Sequence, residues 1–172
     1  MTITVRHALV PTTLGDLLVV AEGPSIAGIY FPGHWHPPAD DAVGQPVDPA
    51  TDEVIAECGR QLTAYLMGER TTFDLPLATH GDAFSETIWD RLLQIPYGQT
   101  TTYGALALEM GNRNLAQRVG QAVGHNPISI VIPCHRVLGA DGSLTGYAGG
   151  LDRKRTLLTL ESPTADEAGR LF

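Results

Sequence analysis

"TTYGALALEMGNRNLAQRVGQAVGHNPISIVIPCHRV" (residues 101–137) holds the pattern from which the fold of the second half is read. Residues 102–110 and 113–124 each show helical periodicity, and Gly111 breaks the chain between them. That spacing has the layout of a helix-turn-helix, and an ordinary helical hairpin shares it. The second helix carries Ala116, Gly120, Ala122 and Gly124, so its surface is low. Each interior glycine costs about 1 kcal/mol of helix stability, which points to a close approach by another helix or a nucleic-acid backbone. The apolar run "ISIVI" (128–132) then reads as a buried strand whose ladder Pro133 would end. Cys134, His135 and Arg136 follow at once, setting a thiol beside two potential cations.

A cysteine becomes a nucleophile when a nearby base or positive charge favours its thiolate. In an extended strand neighbouring side chains point to opposite faces, so His135 would reach the sulfur only indirectly, for example through a water. An acid that orients the imidazole would complete a Cys-His-acid relay, and Glu161 is the candidate. Read from these three residues alone, a reactive and a merely packed Cys134 fit equally well.

Outward from this stretch, "LLVVAEG" and "IAGIYF" flank the turn "GPS" and predict a hairpin. Residues 32–50 are rich in Pro, Gly and Asp and read as a mobile loop. Residues 51–70 read as a helix capped by Thr51 or Asp52, with Val54, Ile55, Cys58, Leu62 and Leu66 on one face. Cys58 therefore belongs to an apolar stripe and reads as structural. "FDLPLATHGDAF" (73–84) reads as an extended linker, and "FSETIWDRLLQI" as a helix with Phe84, Ile88, Leu92 and Ile95 at core spacing. "LGADGSLTGYAGG" is a loop or hairpin built on Asp141-Gly142, and residues 151–161 form a closing helix ending at Glu161.

An apolar fraction of 43% and a charged fraction of 17% are ordinary for a globular protein. No apolar run reaches the roughly 20 residues of a membrane span, and the N-terminus lacks a signal-peptide layout, so a cytoplasmic location is expected. The net charge of −8 is unevenly placed. Residues 1–83 set three arginines against eleven acids, whereas residues 84–162 carry seven basic groups against six acids. The second half can approach a polyanion, without strong bulk attraction for phosphate.

"NPISIVIPCHRV" resembles the signature of the O6-alkylguanine-DNA alkyltransferases, also called methylated-DNA–protein-cysteine methyltransferases. "FSETIWDRLLQIPYGQTTTYGALA", "RVGQAVGHNP", "GSLTGYAGGLDRKRTLLTLE" and "AYLMGERTTFDLPL" are similar to the same family. The resemblance implies an α+β protein: an N-terminal α/β domain with a small antiparallel sheet over 1–82, a mostly helical C-terminal domain with the helix-turn-helix over 83–163, and a tail at 164–172. A monomer without cofactor is expected. Some members carry zinc in the N-terminal domain, but here one Cys and His7, His34, His36 and His80 do not make a convincing ligand set, so no metal is expected. The resemblance implies a protein that binds duplex DNA through the minor groove and flips O6-alkylguanine out of the stack. The alkyl group then passes irreversibly, in one turnover, to Cys134. His135 would act as base through a water, Glu161 would orient it, and Asn126 would brace the turn before the active-site segment. Tyr103 would help turn the nucleotide out, while Val137, Tyr147 and Ala148 would line the guanine pocket. Ala116, Gln117, Arg118 and Gly120 would face DNA. Familiar members place an arginine where Gln117 stands, and Arg118 is offset from it by about 100° around the helix.

Other readings differ in class. An alkyltransferase-like protein binds alkylguanine without reacting, and Cys134 weighs against it. A cysteine hydrolase would need an oxyanion hole that the sequence does not display. A helix-turn-helix regulator leaves Cys134, His135 and Glu161 unexplained.

Overall fold

A computed structural model describes residues 3–162, so the tail expected at 164–172 lies outside the described residues. The chain forms two compact units. Residues up to His80, together with Pro127–Val131, build the first; Gly81–Asn126 and the chain from Ile132 onward build the second. The α+β class expected from the sequence is the class observed.

In the first unit, β1 (Val5–Thr12), β2 (Gly15–Glu22), β3 (Ser25–Tyr30) and the two-residue β4 (Gln45–Pro46) form a sheet in the order β3-β2-β1-β4. The first three strands are antiparallel, with β2 and β3 joined at the expected hairpin, and β4 runs parallel to β1. Leu17, Val19, Ala21, Ile26 and Ile29 have no exposed surface and make the sheet side of the core. The Pro- and Gly-rich loop is therefore pinned at its end: Val47 N–H donates to the His7 carbonyl at 2.9 Å. Gly44 makes that approach possible, because a Cβ there would lie 1.9 Å from the Val5 carbonyl oxygen. The 73–84 linker is pinned too, by a single parallel bridge of Leu77 to Ile26.

The helix α1 (Glu53–Leu66) starts at Asp52, whose carboxylate accepts from the Val54 and Ile55 amides and pairs with Arg6. Its buried face is Ile55, Cys58, Gln61, Leu62 and Tyr65, whereas Val54 and Leu66 are only partly covered. Gln61 is buried because its amide pairs with both backbone groups of Asp74, at 2.9 and 3.0 Å. A polar residue with both bonds satisfied costs little to bury.

The second unit contains α2 (Ala83–Leu93), β5 (Thr101–Thr102), α3 (Tyr103–Glu109), α4 (Ala116–Gly124), β6 (Val137–Leu138) and α5 (Leu151–Glu161). Asp82 caps α2 and Thr102 caps α3 through side-chain oxygens. Gly111, with φ of 99°, stops α3, and a 3-10 turn over Arg113–Leu115 leads into α4. The helix-turn-helix is thus present, with its second helix three residues shorter than the periodicity predicts. Trp89 ties α2 to α4 by donating to the Ala122 carbonyl at 2.9 Å. The two-residue strands β5 and β6 pair in parallel. Among the described residues, no helix is long and apolar enough to cross a membrane.

"ISIVI" is not a strand. Ile128 makes one bridge to Ile29, and the chain then turns sharply. Val131 N–H bonds back to the Ser129 carbonyl at 2.8 Å around Ile130, whose φ is 72°. A β-branched residue in that region is a genuine outlier, of the kind that stores about 1–3 kcal/mol. A second tight turn follows at Pro133 (φ −81°, ψ 64°), closed by Cys134 N–H on the Ile132 carbonyl at 2.8 Å. Apolar composition marked this run as buried, but a run this short does not reveal its backbone conformation. Asp141-Gly142 likewise makes a local turn, closed by Gly139 N–H on the Ser143 carbonyl, and not a β-hairpin.

Candidate active site

Cys134 opens a 3-10 turn that runs to Arg136, so the alternation of an extended strand does not govern these side chains. All three are buried: Cys134 is 6% exposed, His135 0% and Arg136 7%. α5 presents Lys154, Leu157 and Glu161 as its buried face, and this brings Glu161 to His135. The His135 Nε2 lies 2.8 Å from Glu161 Oε2. Arg136 donates Nε to Oε1 and Nη2 to Oε2, both at 2.7 Å. Its third arm, Nη1, donates to the Ile95 carbonyl at 2.6 Å. His135 Nδ1 is buried and has no hydrogen-bond partner among the described residues.

Burial dominates the ionisation of the thiol, pushing Cys134 up to about 11. The Asn126 amide, the Lys154 charge, its own backbone amide and the Tyr147 hydroxyl pull in the other direction. A thiol at about 11 carries the thiolate in on the order of one molecule in ten thousand at pH 7. Burial also lowers His135, against the raising influence of Glu161 and with the help of Arg136 and Lys154. Burial thus favours the thiol at Cys134 and the neutral imidazole at the next residue, His135. Cys58 is fully buried, and burial lifts it to about 12, as expected of an inert packing thiol.

Asn126 is 2% exposed and donates Nδ2–H to the Ile132 carbonyl at 2.8 Å, across the turn that presents Cys134. The Tyr103 hydroxyl donates to the carbonyls of Thr145 and Gly146, at 3.3 and 3.4 Å. Val137, Tyr147 and Ala148 are buried in the same unit. Lys154 was not legible as a site residue. It has no exposed surface, and its Nζ donates to the Val137 and Thr145 carbonyls at 2.6 and 2.8 Å. Burial lowers it to about 8. Its one signal was position: seven residues before Glu161, it lies on the same face of α5.

On α4, Val119, Ala122 and Val123 turn inward, and Gln117 and Arg118 are exposed. The Arg118 guanidinium lies 4.0 Å over the Phe84 ring and acts on Asp82, so it is engaged by α2. Among the described residues, packing does not require the helix glycines. A Cβ at Gly120 would meet only Tyr103, at 3.8 Å, and one at Gly124 would meet nothing within 4 Å.

Residues 83–163 match the family model of the 6-O-methylguanine DNA methyltransferase DNA-binding domain, and residues 5–79 that of its ribonuclease-like domain. The chain belongs to this family. The methylated-DNA–protein-cysteine methyltransferase of Mycolicibacterium paratuberculosis is 41% identical over 168 residues, covering 98% of this chain and 99% of the relative. The Haemophilus influenzae protein of the same name is 43% identical over 152 residues, 88% of this chain and 83% of its own. Among solved structures, Mycobacterium tuberculosis OGT in complex with DNA superposes with a TM-score of 0.83 at 37% identity, covering 92% of this chain and 93% of that one. Of the two cysteines, Cys134 is the one followed in sequence by a histidine.

Proposed function

We infer that this methyltransferase repairs O6-alkylguanine in duplex DNA by moving the alkyl group to Cys134, once per molecule. The observation that carries the reading is a buried thiol followed at once by a buried imidazole whose Nε2 lies 2.8 Å from a buried carboxylate. The Sγ proton passes toward His135 through a bridging water, in keeping with the family resemblance. The Sγ–C bond forms as the C–O6 bond breaks, and the electron pair returns to O6. A proton restores N1–H, so thiol and alkoxypurine become thioether and guanine. A thioether offers no leaving path, which makes the reaction stoichiometric, and no cofactor enters it.

Base flipping costs a few kcal/mol, less for a damaged pair. The low surface around Gly120 and Gly124 suits a minor groove about 6 Å wide. Tyr103, Val137, Tyr147 and Ala148 line the pocket for the flipped base in this reading. Asn126 braces the turn that carries the sulfur, and Ala116, Gln117, Arg118 and Gly120 form the DNA-facing helix surface. The protein acts as a monomer in the cytoplasm. Incubation with a duplex containing O6-methylguanine adds one methyl mass, at Cys134 and not at Cys58, with no second turnover. Tight binding with Cys134 unmodified would instead identify a non-reacting alkylguanine binder.

Gln117 fills the gap left by the flipped base, because Arg118 is held over Phe84. Gln117→Ala will slow repair of duplex by about tenfold, since the open helix competes with stacking worth a few kcal/mol. Its rate on the free alkylated base will not change. Arg118→Ala removes a cation–π contact of about 0.5–1 kcal/mol and will alter duplex repair less than about threefold. Comparing the two variants on both substrates checks the assignment, and the opposite ranking overturns it.

A further inference from the structure

We propose that Arg136 is a positioning residue for alkyl transfer: its guanidinium locks the Glu161 carboxylate so that His135 offers Nδ1 as the proton acceptor. This rests on the reading in which Cys134 is the acceptor and His135 its base. A guanidinium has five donors in a rigid fork and no acceptor. Arg136 spends two of them on Glu161, one per oxygen, so the carboxylate is held as an anion that can only accept. Oε2 also receives His135 Nε2, so that nitrogen must donate. In the neutral ring the lone pair then falls to Nδ1, the nitrogen that has no partner among the described residues.

The lock is itself braced. Arg136 Nη1 binds the Ile95 carbonyl, and the Tyr97 ring lies 5.8 Å from the guanidinium. The Tyr97 hydroxyl donates to the Leu160 carbonyl at 3.1 Å, next to Glu161. Gly98, with φ of 81°, lets this segment close on the end of α5, where a Cβ would lie 2.9 Å from the Glu161 carbonyl oxygen. Arg136 also balances charge. The ionisable groups acting on His135 are Glu161 and Lys154 from α5 and Arg136 beside it. Glu161 alone favours the imidazolium, and Arg136 opposes it. Without Arg136 the ring would hold a proton at higher pH and could not take one from the thiol.

The test compares wild type, Arg136→Met and Arg136→Lys by nitrogen-15 titration of His135 and by the pH dependence of methyl transfer from an O6-methylguanine duplex. In Arg136→Met the His135 midpoint rises by about one pH unit or more, the range for losing a nearby compensating charge. The acid limb of the rate profile moves up with it. In Arg136→Lys the midpoint stays near wild type, because the charge remains, while the rate falls at every pH, because an ammonium cannot hold both oxygens. An unmoved midpoint in Arg136→Met, with the rate lowered equally at all pH values, means a purely structural role and overturns the proposal. Should Arg136→Met fail to fold, Arg136→Lys decides: a wild-type rate overturns the lock. Absence of methyl transfer in wild type would remove the underlying reading itself, and is distinct from either result.

Discussion

Cys134→Ser will abolish methyl uptake, slowing transfer by about 10⁴-fold or more, while duplex binding survives. The hydroxyl is nearly isosteric with the thiol, so Asn126 still spans the turn to the Ile132 carbonyl and the fold persists. What is lost is a nucleophile whose proton a neutral imidazole can accept, because a serine hydroxyl is far less acidic. Intact mass after incubation with the methylated duplex reads the loss, and a gel shift reads the retained binding. Methyl uptake by Cys134→Ser would show that another residue is the acceptor.

The same substitution has a pH signature. Burial raises the Cys134 thiol from 9.0 to about 11, so its contribution to stability is complete below about 9 and is lost as pH rises through about 11. The wild type therefore loses stability across that window as the unfolded chain ionises first. Cys134→Ser removes this part of the loss, whereas Cys58, raised to about 12, keeps its own. Chemical denaturation at pH 8 and pH 10 for both proteins measures the difference. An identical decline in both would mean that Cys134 is not buried as a thiol.

Glu161→Gln is expected to damage both stability and transfer. The carboxylate is 2% exposed and accepts hydrogen bonds from Arg136 at both oxygens and from His135 at one. An amide offers one acceptor and one donor group to that set of donors. The guanidinium is left buried and partly unpaired, which costs about 3–5 kcal/mol. Where the new NH₂ faces His135 Nε2, that nitrogen must accept, and the ring proton moves to Nδ1. The imidazole then cannot take the thiol proton, and transfer falls by about 10²–10⁴-fold. Rapid-quench kinetics on the methylated duplex and thermal unfolding check the two effects separately. A rate within about threefold of wild type would show that the carboxylate does not orient the imidazole.

Much of this was legible along the chain. Asp52 stood at the cap of its helix by type and position, and the pattern of "FSETIWDRLLQI" marked a helix with Ile88 and Leu92 inside. Cys134, His135 and Glu161 stand out by residue type as a candidate set, and the 2.8 Å contact of His135 with Glu161 joins two of them. Gln61 and Lys154 were not legible as buried residues. Each is polar by type and becomes internal only because backbone carbonyls 13 and 9 to 17 residues away arrive to bond it. Ile130 failed for a related reason. Its apolar neighbours signal burial, but its positive φ belongs to the tight turn that Val131 N–H closes on the Ser129 carbonyl.

Local chemistry thus determined which residue types were available: helix caps, apolar faces, a thiol followed by an imidazole, and a family signature around them. It left the thiol balanced between packing and reactivity, because neighbours in a chain say nothing about solvent or remote charge. Folding added what the local sequence lacks, by burying Cys134 and His135 and bringing α5 to His135. The same event set Arg118 against a partner distant in the chain. Its guanidinium lies over the Phe84 ring, 34 positions earlier along the chain.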